Sequence, residues 1–227
     1  HRPTWSAQVR ISGFPAMLQV LKFTFNPFQE NTYVLHDGHQ AIVVDPGCWD
    51  QAEQRVLEGA LGDNGLKPIR VVLTHAHIDH ILGCAWMHER YGLAPELHHA
   101  DLPILAGGAR TASMYGLPYD PAPEPAGLLS AGDTIRIGVE ELQVLFVPGH
   151  APGHIALYHA SGKFVVSGDV LFQNSVGRVD LPGGNMETLL TSIHEQLFTL
   201  GDDVTVHCGH GPDTTIGREK KSNSFLK

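Results

Sequence analysis

Cysteine is scarce in this sequence. The three cysteines, Cys48, Cys84 and Cys208, form an odd set, and no two of them have C-x-x-C spacing. Such a set excludes a disulfide framework and a zinc ribbon. Unpaired thiols are typical of a reducing compartment, so the sequence predicts a cytoplasmic protein.

Long apolar stretches are also missing. No apolar run approaches the roughly 18 residues that a transmembrane helix needs, so we expect no membrane partner. Residues 1–16 lack the continuous apolar segment of a signal peptide, and Met17 is the first methionine. We therefore expect residues 1–16 to be a cloning remnant or a disordered segment. Residues 17–227 are expected to form a single domain.

Positive charge is in short supply as well. The chain has 15 Lys and Arg residues against 24 Asp and Glu residues, giving a formal net charge of −9. Its longest basic run is the pair Lys220-Lys221. Proteins that bind nucleic acid normally carry a basic patch, so nucleic acid is not an expected partner. The oligomeric state stays open.

Two groups of strands, each associated with helices, are indicated by the hydrophobic pattern. Alternating and β-branched residues predict strands over 18–25, 31–35, 40–44 and 69–73, and then over 134–137, 142–147, 155–159, 163–167 and 204–207. Helices are predicted after Asp50, from about His80 to Tyr91, and from about Met186 to Leu200. This order predicts an α+β fold in which two sheets pack face to face and helices cover both outer faces.

Four residues that commonly bind metal ions lie within residues 74–80, Thr-His-Ala-His-Ile-Asp-His, directly after a predicted strand. In an extended segment His75 and His77 point to the same side, so they can hold one ion. The chain then turns into a helix, and Asp79 and His80 face elsewhere, towards a second ion. A structural zinc site usually has a closed shell that often includes cysteines. A cluster without cysteine that divides into two groups indicates two ions with open positions, as hydrolases use.

Three further candidate ligands each follow a hydrophobic strand and lie next to a glycine. They are His150 after Pro148-Gly149, Asp169 after Gly168, and His210 between Gly209 and Gly211. A glycine beside a ligand lets the backbone turn tightly and approach an ion. Packing alone rarely produces three such strand ends, so these side chains are expected to join the histidine cluster.

With these motifs the sequence resembles the metallo-β-lactamase superfamily, whose fold is a four-layer αββα sandwich. Residues 74–80 match its H-x-H-x-D-H motif, and the resemblance extends from Met17 to the C-terminus. It implies a first divalent ion held by His75, His77 and His150, a second held by Asp79, His80 and His210, and a bridge between the two formed by Asp169. Zinc is the metal expected first, and iron and manganese also accept His and Asp ligands.

The segments 167–172, Ser-Gly-Asp-Val-Leu-Phe, and 177–180, Gly-Arg-Val-Asp, are similar to those of short glyoxalase II-like thioesterases. Members of the superfamily that hydrolyse β-lactams generally lack an aspartate at the position of Asp169. Longer glyoxalase II enzymes carry a C-terminal helical domain that helps to hold glutathione. That domain is not expected here because the sequence stops soon after His210, and the carrier thiol therefore stays open.

The resemblance implies a binuclear hydrolase in which a metal-bridging hydroxide attacks the thioester of an S-acylated small thiol, such as S-lactoylglutathione. Asp79 is the expected catalytic residue because it can orient that hydroxide, and Asp45 is expected to orient a ligand histidine. Arg178 either meets a substrate carboxylate or pairs with Asp180. Two alternatives on the same scaffold remain, an iron persulfide dioxygenase with one metal ion and a lactonase.

Overall fold

A computed structural model describes residues 17–227, and the prediction for residues 1–16 lies outside this range. The first of its two large sheets has six strands in the order β1-β2-β3-β4-β5-β6. They are β1 Gln19–Phe25, β2 Glu30–His36, β3 Gln40–Val44, β4 Lys67–Val72, β5 Pro95–His98 and β6 Gly127–Leu129. Strands β1 to β3 are antiparallel, whereas β3 to β6 run parallel. The parallel part therefore brings the carboxyl ends of several strands to one edge of the sheet.

The second sheet comes from the C-terminal half and also has six strands, in the order β14-β13-β10-β9-β8-β7. Its strands and a separate small hairpin, β11-β12, are β7 Thr134–Ile137, β8 Glu140–Phe146, β9 Ile155–His159, β10 Phe164–Gly168, β11 Leu171–Phe172, β12 Ser175–Val176, β13 Thr205–Cys208 and β14 Thr214–Thr215. The neighbours β10 and β13 are parallel. Strand β8 runs the same way, since β9 is antiparallel to both β8 and β10.

Among residues 17–227 there are seven α-helices. They are α1 Gln51–Asp63, α2 Ile78–Ile81, α3 Cys84–Tyr91, α4 Leu102–Ala106, α5 Gly108–Met114, α6 Met186–Ser192 and α7 Ile216–Ser222. Helix α6 continues as a π-helical turn, Ile193–Leu197, and short 3-10 turns occupy His99–Asp101 and Ser224–Leu226. No helix among residues 17–227 combines the length and apolar character required to cross a lipid bilayer.

The facing surfaces of the two sheets form the central core. Side chains such as Leu35, Ile42 and Val44 of the first sheet pack with Val144 and Leu157 of the second, and all of them are buried. Neighbouring residues on the same strands point outward and are buried again, because helices cover the outer faces. Burial on both faces explains why strands such as β3 are continuously hydrophobic.

Each outer face has its own hydrophobic cluster. Leu57 of α1 and Met87 of α3 pack on Val43 of the first sheet. Leu189 of α6 packs on Val165 of the second sheet. The layers are therefore helix, sheet, sheet and helix, and the predicted α+β, αββα architecture is confirmed.

The helix predicted from about His80 to Tyr91 is wrong as a single element. It is divided into α2 and α3 at Gly83, whose amide donates to the Pro46 carbonyl at 2.7 Å. A Cβ at this glycine would lie 2.5 Å from the Cys48 Sγ atom. The close contact between Gly83 and the loop after β3 thus ends α2, and α3 begins at the next residue.

Candidate active site

All the predicted ligands follow strands whose carboxyl ends meet at one edge of the sandwich. Residues 75–80 follow β4 of the first sheet, while His150, Asp169 and His210 follow β8, β10 and β13 of the second. Since parallel strands end on the same side, residues that are far apart in sequence come together there. The structure brings all seven predicted ligands together in two sets.

The first ligand set consists of His75, His77 and His150. The Nε2 atom of His150 lies 2.9 Å from Nδ1 of His77 and 3.2 Å from Nε2 of His75. Burial, reinforced by the neighbouring histidines, lowers the pKa of His77 to about 4 and holds the pKa of His75 well below its usual value. Burial also lowers the pKa of His150. The three rings are therefore neutral near pH 7, which is the form that binds metal ions.

The second ligand set consists of Asp79, His80, Asp169 and His210. His210 lies between two carboxylates, with its Nε2 atom 3.0 Å from Asp79 Oδ2 and its Nδ1 atom 3.0 Å from Asp169 Oδ1. The Nε2 atom of His80 lies 3.4 Å from the same Asp79 oxygen and 3.5 Å from the same Asp169 oxygen. Two imidazoles and two carboxylates thus surround one point.

Asp169 faces both sets. Its Oδ1 atom contacts His80 and His210 of the second set, and its Oδ2 atom lies 3.6 Å from Nε2 of His150 in the first set. A carboxylate with one oxygen directed at each set has the arrangement needed to bridge two ions.

The residues present fit divalent metal ions. The Nε2 atom of His80 is fully buried and has no hydrogen-bond partner among the described residues. An unpaired polar atom in a protein interior is costly, so such atoms normally have a partner. Nitrogen and carboxylate donors that converge on one point are the ligands that zinc, iron and manganese accept.

Asp45 directly follows β3 and contacts two residues of the segment 74–80, Thr74 and His80. Its Oδ1 atom accepts the Thr74 amide at 2.7 Å, and its Oδ2 atom accepts the Thr74 hydroxyl at 2.6 Å. The same Oδ2 atom lies 2.9 Å from Nδ1 of His80. With its Nδ1 atom donating to Asp45, His80 directs Nε2 at the second ligand set, where that atom can bind an ion once it has lost its proton. The sequence predicted that Asp45 orients a ligand histidine, but it did not reveal that Thr74 is also a partner of Asp45.

Two other ligands are oriented by groups that lie outside the two ligand sets. His150 Nδ1 lies 2.7 Å from the backbone carbonyl of Arg178, which leaves Nε2 directed at the first set. The Asp169 amide donates to Nε2 of the fully buried His154 at 3.1 Å. His154 therefore fixes the backbone of a ligand and belongs to neither ligand set.

Sequence reasoning missed Asp101, a fully buried residue just after β5. Its Oδ2 atom accepts the Ala76 amide at 2.8 Å, and its Oδ1 atom accepts the Gly153 amide at 2.6 Å. It thereby joins the loop of His75 and His77 to the loop of His150. The available signal was a polar residue that follows a strand, but β5 has only four residues and was not predicted.

Glu30 was also missed. It is fully buried, and its Oε1 atom lies 3.8 Å from Nδ1 of His80 with no hydrogen-bond partner among the described residues. The Thr32 hydroxyl donates to its other oxygen at 2.9 Å. Burial raises the pKa of Glu30 well above its usual value. Its only sequence signal was an acidic residue at the start of a hydrophobic strand.

A cavity of about 650 Å³ opens over both ligand sets. Arg178 lies on its wall, and its guanidinium binds both oxygens of Asp180, at 2.6 and 2.7 Å. Of the two roles foreseen for Arg178, the structure shows the pair with Asp180. Two smaller clefts, of about 420 and 370 Å³, lie beside the π-helical turn and α6, and neither is lined by a member of the ligand sets.

Comparison with known proteins places this geometry in a family. The profile of the Metallo-beta-lactamase superfamily matches residues 25–210, which include both ligand sets. The chain belongs to the metallo-β-lactamase superfamily. It is accordingly a metal-dependent hydrolase, and its His and Asp cluster is a site for divalent metal ions.

Two relatives within this superfamily cover nearly the whole chain. The probable metallo-hydrolase YqgX of Bacillus subtilis is 40% identical over 201 residues, 88% of this chain and 93% of that protein. The hydroxyacylglutathione hydrolase GloC of Haemophilus influenzae is 35% identical over 204 residues, 88% of this chain and 93% of that protein.

Two solved structures in the superfamily have closely similar folds. TTHA1623 in a di-iron-bound form is 40% identical, has a TM-score of 0.82, and matches 91% of this chain and all of that one. The BLEG-1 B3 metallo-β-lactamase is 36% identical, has a TM-score of 0.83, and matches 92% of this chain and all of that one. Among these proteins, the name of GloC indicates a hydroxyacylglutathione substrate and that of BLEG-1 a β-lactam.

Proposed function

We propose that this protein is a binuclear thioesterase that hydrolyses S-acylated small thiols, with S-lactoylglutathione as one example. The observation that carries the proposal is Asp169, whose two oxygens face the two ligand sets. The first set would hold one ion, the second set the other, and Asp169 would bridge them. Such a pair of ions would lower the pKa of a bound water from about 15.7 to near 7 and would polarise the substrate carbonyl.

Asp79 is the proposed catalytic residue. Its carboxylate lines the cavity and lies 3.0 Å from His210. Burial raises its pKa, but the charges of His80 and His210 and a hydrogen bond from His210 outweigh this effect and lower it overall. Asp79 is thus ionised at neutral pH and can accept a hydrogen bond from the attacking water, which aims the oxygen lone pair at the carbonyl.

The remainder of the cavity suits a thioester. A thiolate leaves without a strong general acid, and the acidic residues lining the cavity are Asp79 and Asp169, both members of the second ligand set. The name of the relative GloC indicates hydroxyacylglutathione hydrolysis, which supports the same class of substrate for this chain. All three cysteines are buried and unpaired, in keeping with a reducing cytoplasm.

The test is hydrolysis of S-lactoylglutathione and other acyl thiols by protein reconstituted with zinc, iron or manganese. Asp79→Asn and His77→Ala are expected to abolish turnover while the circular dichroism spectrum and the unfolding midpoint stay close to those of the wild type. Arg136→Ala, an exposed change on β7, is the control and should retain full activity. Near-wild-type turnover in either site variant would refute the proposed mechanism.

Three comparison assays separate the alternatives. The similarity to the BLEG-1 metallo-β-lactamase makes a β-lactam the most informative counter-substrate. Lactam hydrolysis that exceeds thioester hydrolysis would reverse the assignment. Oxygen consumption by the iron form with glutathione persulfide would instead indicate the dioxygenase. The complete second ligand set favours the hydrolase, because the dioxygenase needs only one ion. Preferential turnover of homoserine lactones would indicate a lactonase.

A further inference from the structure

The cavity over the ligand sets has a wall of mostly apolar side chains. At its base lie His77, Asp79, His150, Asp169 and His210, which belong to the two ligand sets. The wall above them is formed largely by Phe28, Ile78, Ile104, Met114, Tyr115 and Leu181. Met114 and Tyr115 remain 78% and 51% exposed, so the wall extends to the mouth of the cavity. Such a surface favours a substrate whose non-reacting part is mainly apolar.

Two arginines are the cationic groups on this wall apart from the histidines. Arg178 is neutralised by its two hydrogen bonds to Asp180. Arg110 lies on α5, and its guanidinium forms no hydrogen bond or ion pair with any residue in the range 17–227. The cavity thus offers one guanidinium that is not already paired within the described chain, and arginine binds carboxylates well.

Arg110 lies on a helix that packs directly on the metal-binding turn. Two residues before it, a Cβ on Gly108 would lie 3.2 Å from Cδ1 of Ile81 and 2.9 Å from the Tyr119 hydroxyl. Ile81 is the last residue of α2, the helix that carries Asp79 and His80. The close contact at Gly108 therefore sets the position of α5 relative to both ligand sets. Arg110, Thr111 and Met114 lie on the side of α5 that lines the cavity.

Within residues 17–227, the lining of the cavity has no corresponding site for a positive group. Its acidic lining residues are Asp79 and Asp169, and both belong to the second ligand set. Asp180 pairs with Arg178. A substrate ammonium would find no free carboxylate here, and an unpaired charge is unfavourable next to an apolar wall.

We propose that Arg110 is the specificity-determining residue of this cavity, and that it selects acyl thioesters carrying one negative group and no ammonium on an otherwise apolar body. The proposal rests on the thioesterase function proposed above and narrows its substrate class: acyl glutathiones such as S-lactoylglutathione, which carry an ammonium, are then poorer substrates than monoanionic thioesters. Arg110 acts at a distance from the reacting carbonyl, so it contributes to substrate binding and leaves the chemical step unchanged.

The kinetic test uses metal-reconstituted protein and three hexanoyl thioesters. The carrier thiols are 3-mercaptopropionate, which is a monoanion, N-acetylcysteamine, which is neutral, and glutathione, which also carries an ammonium. The wild type should give the highest kcat/KM with the monoanion. Arg110→Gln should lower that value about tenfold through KM, with kcat retained and the neutral substrate affected less than about twofold.

Arg55→Gln is the matched control, because it makes the same change of charge at an exposed position on α1 that does not line the cavity. It should leave all three substrates unchanged. The proposal is overturned if Arg110→Gln lowers kcat/KM equally for the neutral and the anionic substrate, or if it lowers kcat/KM for neither. A wild type that prefers the glutathione thioester over the monoanion also overturns it.

A binding measurement separates this inference from the thioesterase function. The thioether 3-(hexylthio)propionate and its neutral counterpart N-acetyl-S-hexylcysteamine resist hydrolysis and can be titrated calorimetrically into the metal-loaded protein. The wild type should bind the anion about tenfold more tightly, and Arg110→Gln should remove this preference. A preference that persists in Arg110→Gln would assign the anion to the metal ions and overturn the role of Arg110. If the preference depends on Arg110 but no thioester is hydrolysed, the thioesterase function fails and the recognition role stands.

Discussion

Replacing Asp101 with alanine removes the acceptor that joins the two loops of the first ligand set. The carboxylate is fully buried and accepts the amides of Ala76 and Gly153, at 2.8 and 2.6 Å. Ala76 lies between His75 and His77, and Gly153 lies three residues after His150. The substitution therefore leaves two buried amides without an acceptor at the place where the loops meet.

The size of the effect follows from those two amides. A buried donor left without a partner costs about 1–3 kcal/mol, so Asp101→Ala should lower the free energy of unfolding by about 2–6 kcal/mol. Asp133→Ala is a suitable control because Asp133 accepts the Ser130 amide at 2.8 Å in an exposed turn. Water can replace that acceptor, and the expected loss is below about 1 kcal/mol.

Urea unfolding of the metal-free proteins measures these differences, and metal analysis after reconstitution supplies a second readout. Asp101→Ala should also bind less metal at equal metal concentration, because His150 is no longer held beside His75 and His77. The reasoning is refuted if Asp101→Ala and Asp133→Ala lose the same stability and retain the same metal content.

Two further predictions concern the second ligand set. A methyl group in Gly209→Ala would collide with Oδ1 of Asp169, so this variant should lose metal and activity. The control is Gly62→Ala on α1, where the added Cβ meets nothing, and it should keep both. Metal analysis and turnover test this prediction, and a Gly209→Ala variant that binds its full complement of metal would contradict it. In the metal-free protein burial lowers the pKa of His210, but hydrogen bonds to Asp169 and Asp79 outweigh it and raise the pKa to about 9. Burial likewise lowers the pKa of His80, but the charges of Asp79, Asp169 and Asp45 outweigh it and raise the pKa well above its usual value. Because metal binds only neutral rings, affinity for the second ion should rise with pH, by up to about tenfold per pH unit for each ring that must lose a proton. Chelator competition measures this, and an affinity that does not change with pH would be the opposite result.

Much of the fold was predictable because its strands are long and hydrophobic on both faces. The strand predicted over 40–44 is β3, and that predicted over 155–159 is β9. The ligands were predictable for a related reason, since all of them follow strands, and the three outside residues 75–80 also lie next to a glycine. Asp169 and His210 show this pattern, and both approach the cluster as expected.

The short elements escaped prediction because they carry little periodicity of their own. Strands β5 and β6 have four and three residues, and α4 and α5 have five and seven. These elements are stabilised by contacts with distant parts of the chain, such as the contact of Gly108 with Ile81. Asp101 and Arg110 lie in or beside them, so both residues could be recognised only from the structure.

The helix predicted from Met186 to Leu200 illustrates a different limit. Its apolar face is real, since Leu189, Ile193 and Leu197 are all buried against the second sheet. The α-helix nevertheless ends at Ser192 and widens into a π-helical turn that ends at Leu197. A pattern of apolar residues predicts which face is buried, but it does not determine the hydrogen-bond spacing of the backbone.

Both ligand sets draw residues from both sheets. His75 and His77 follow the first sheet and His150 the second, and in the other set His80 follows the first and His210 the second. With the ligand assignment proposed above, neither sheet alone can bind either ion fully. Metal uptake then reports the final docking of the two halves of the chain, and free metal stabilises only the docked state by mass action. Every metal-loaded molecule would therefore be one in which the two sheets have docked, and a polypeptide halted before its second sheet forms could not become an active hydrolase.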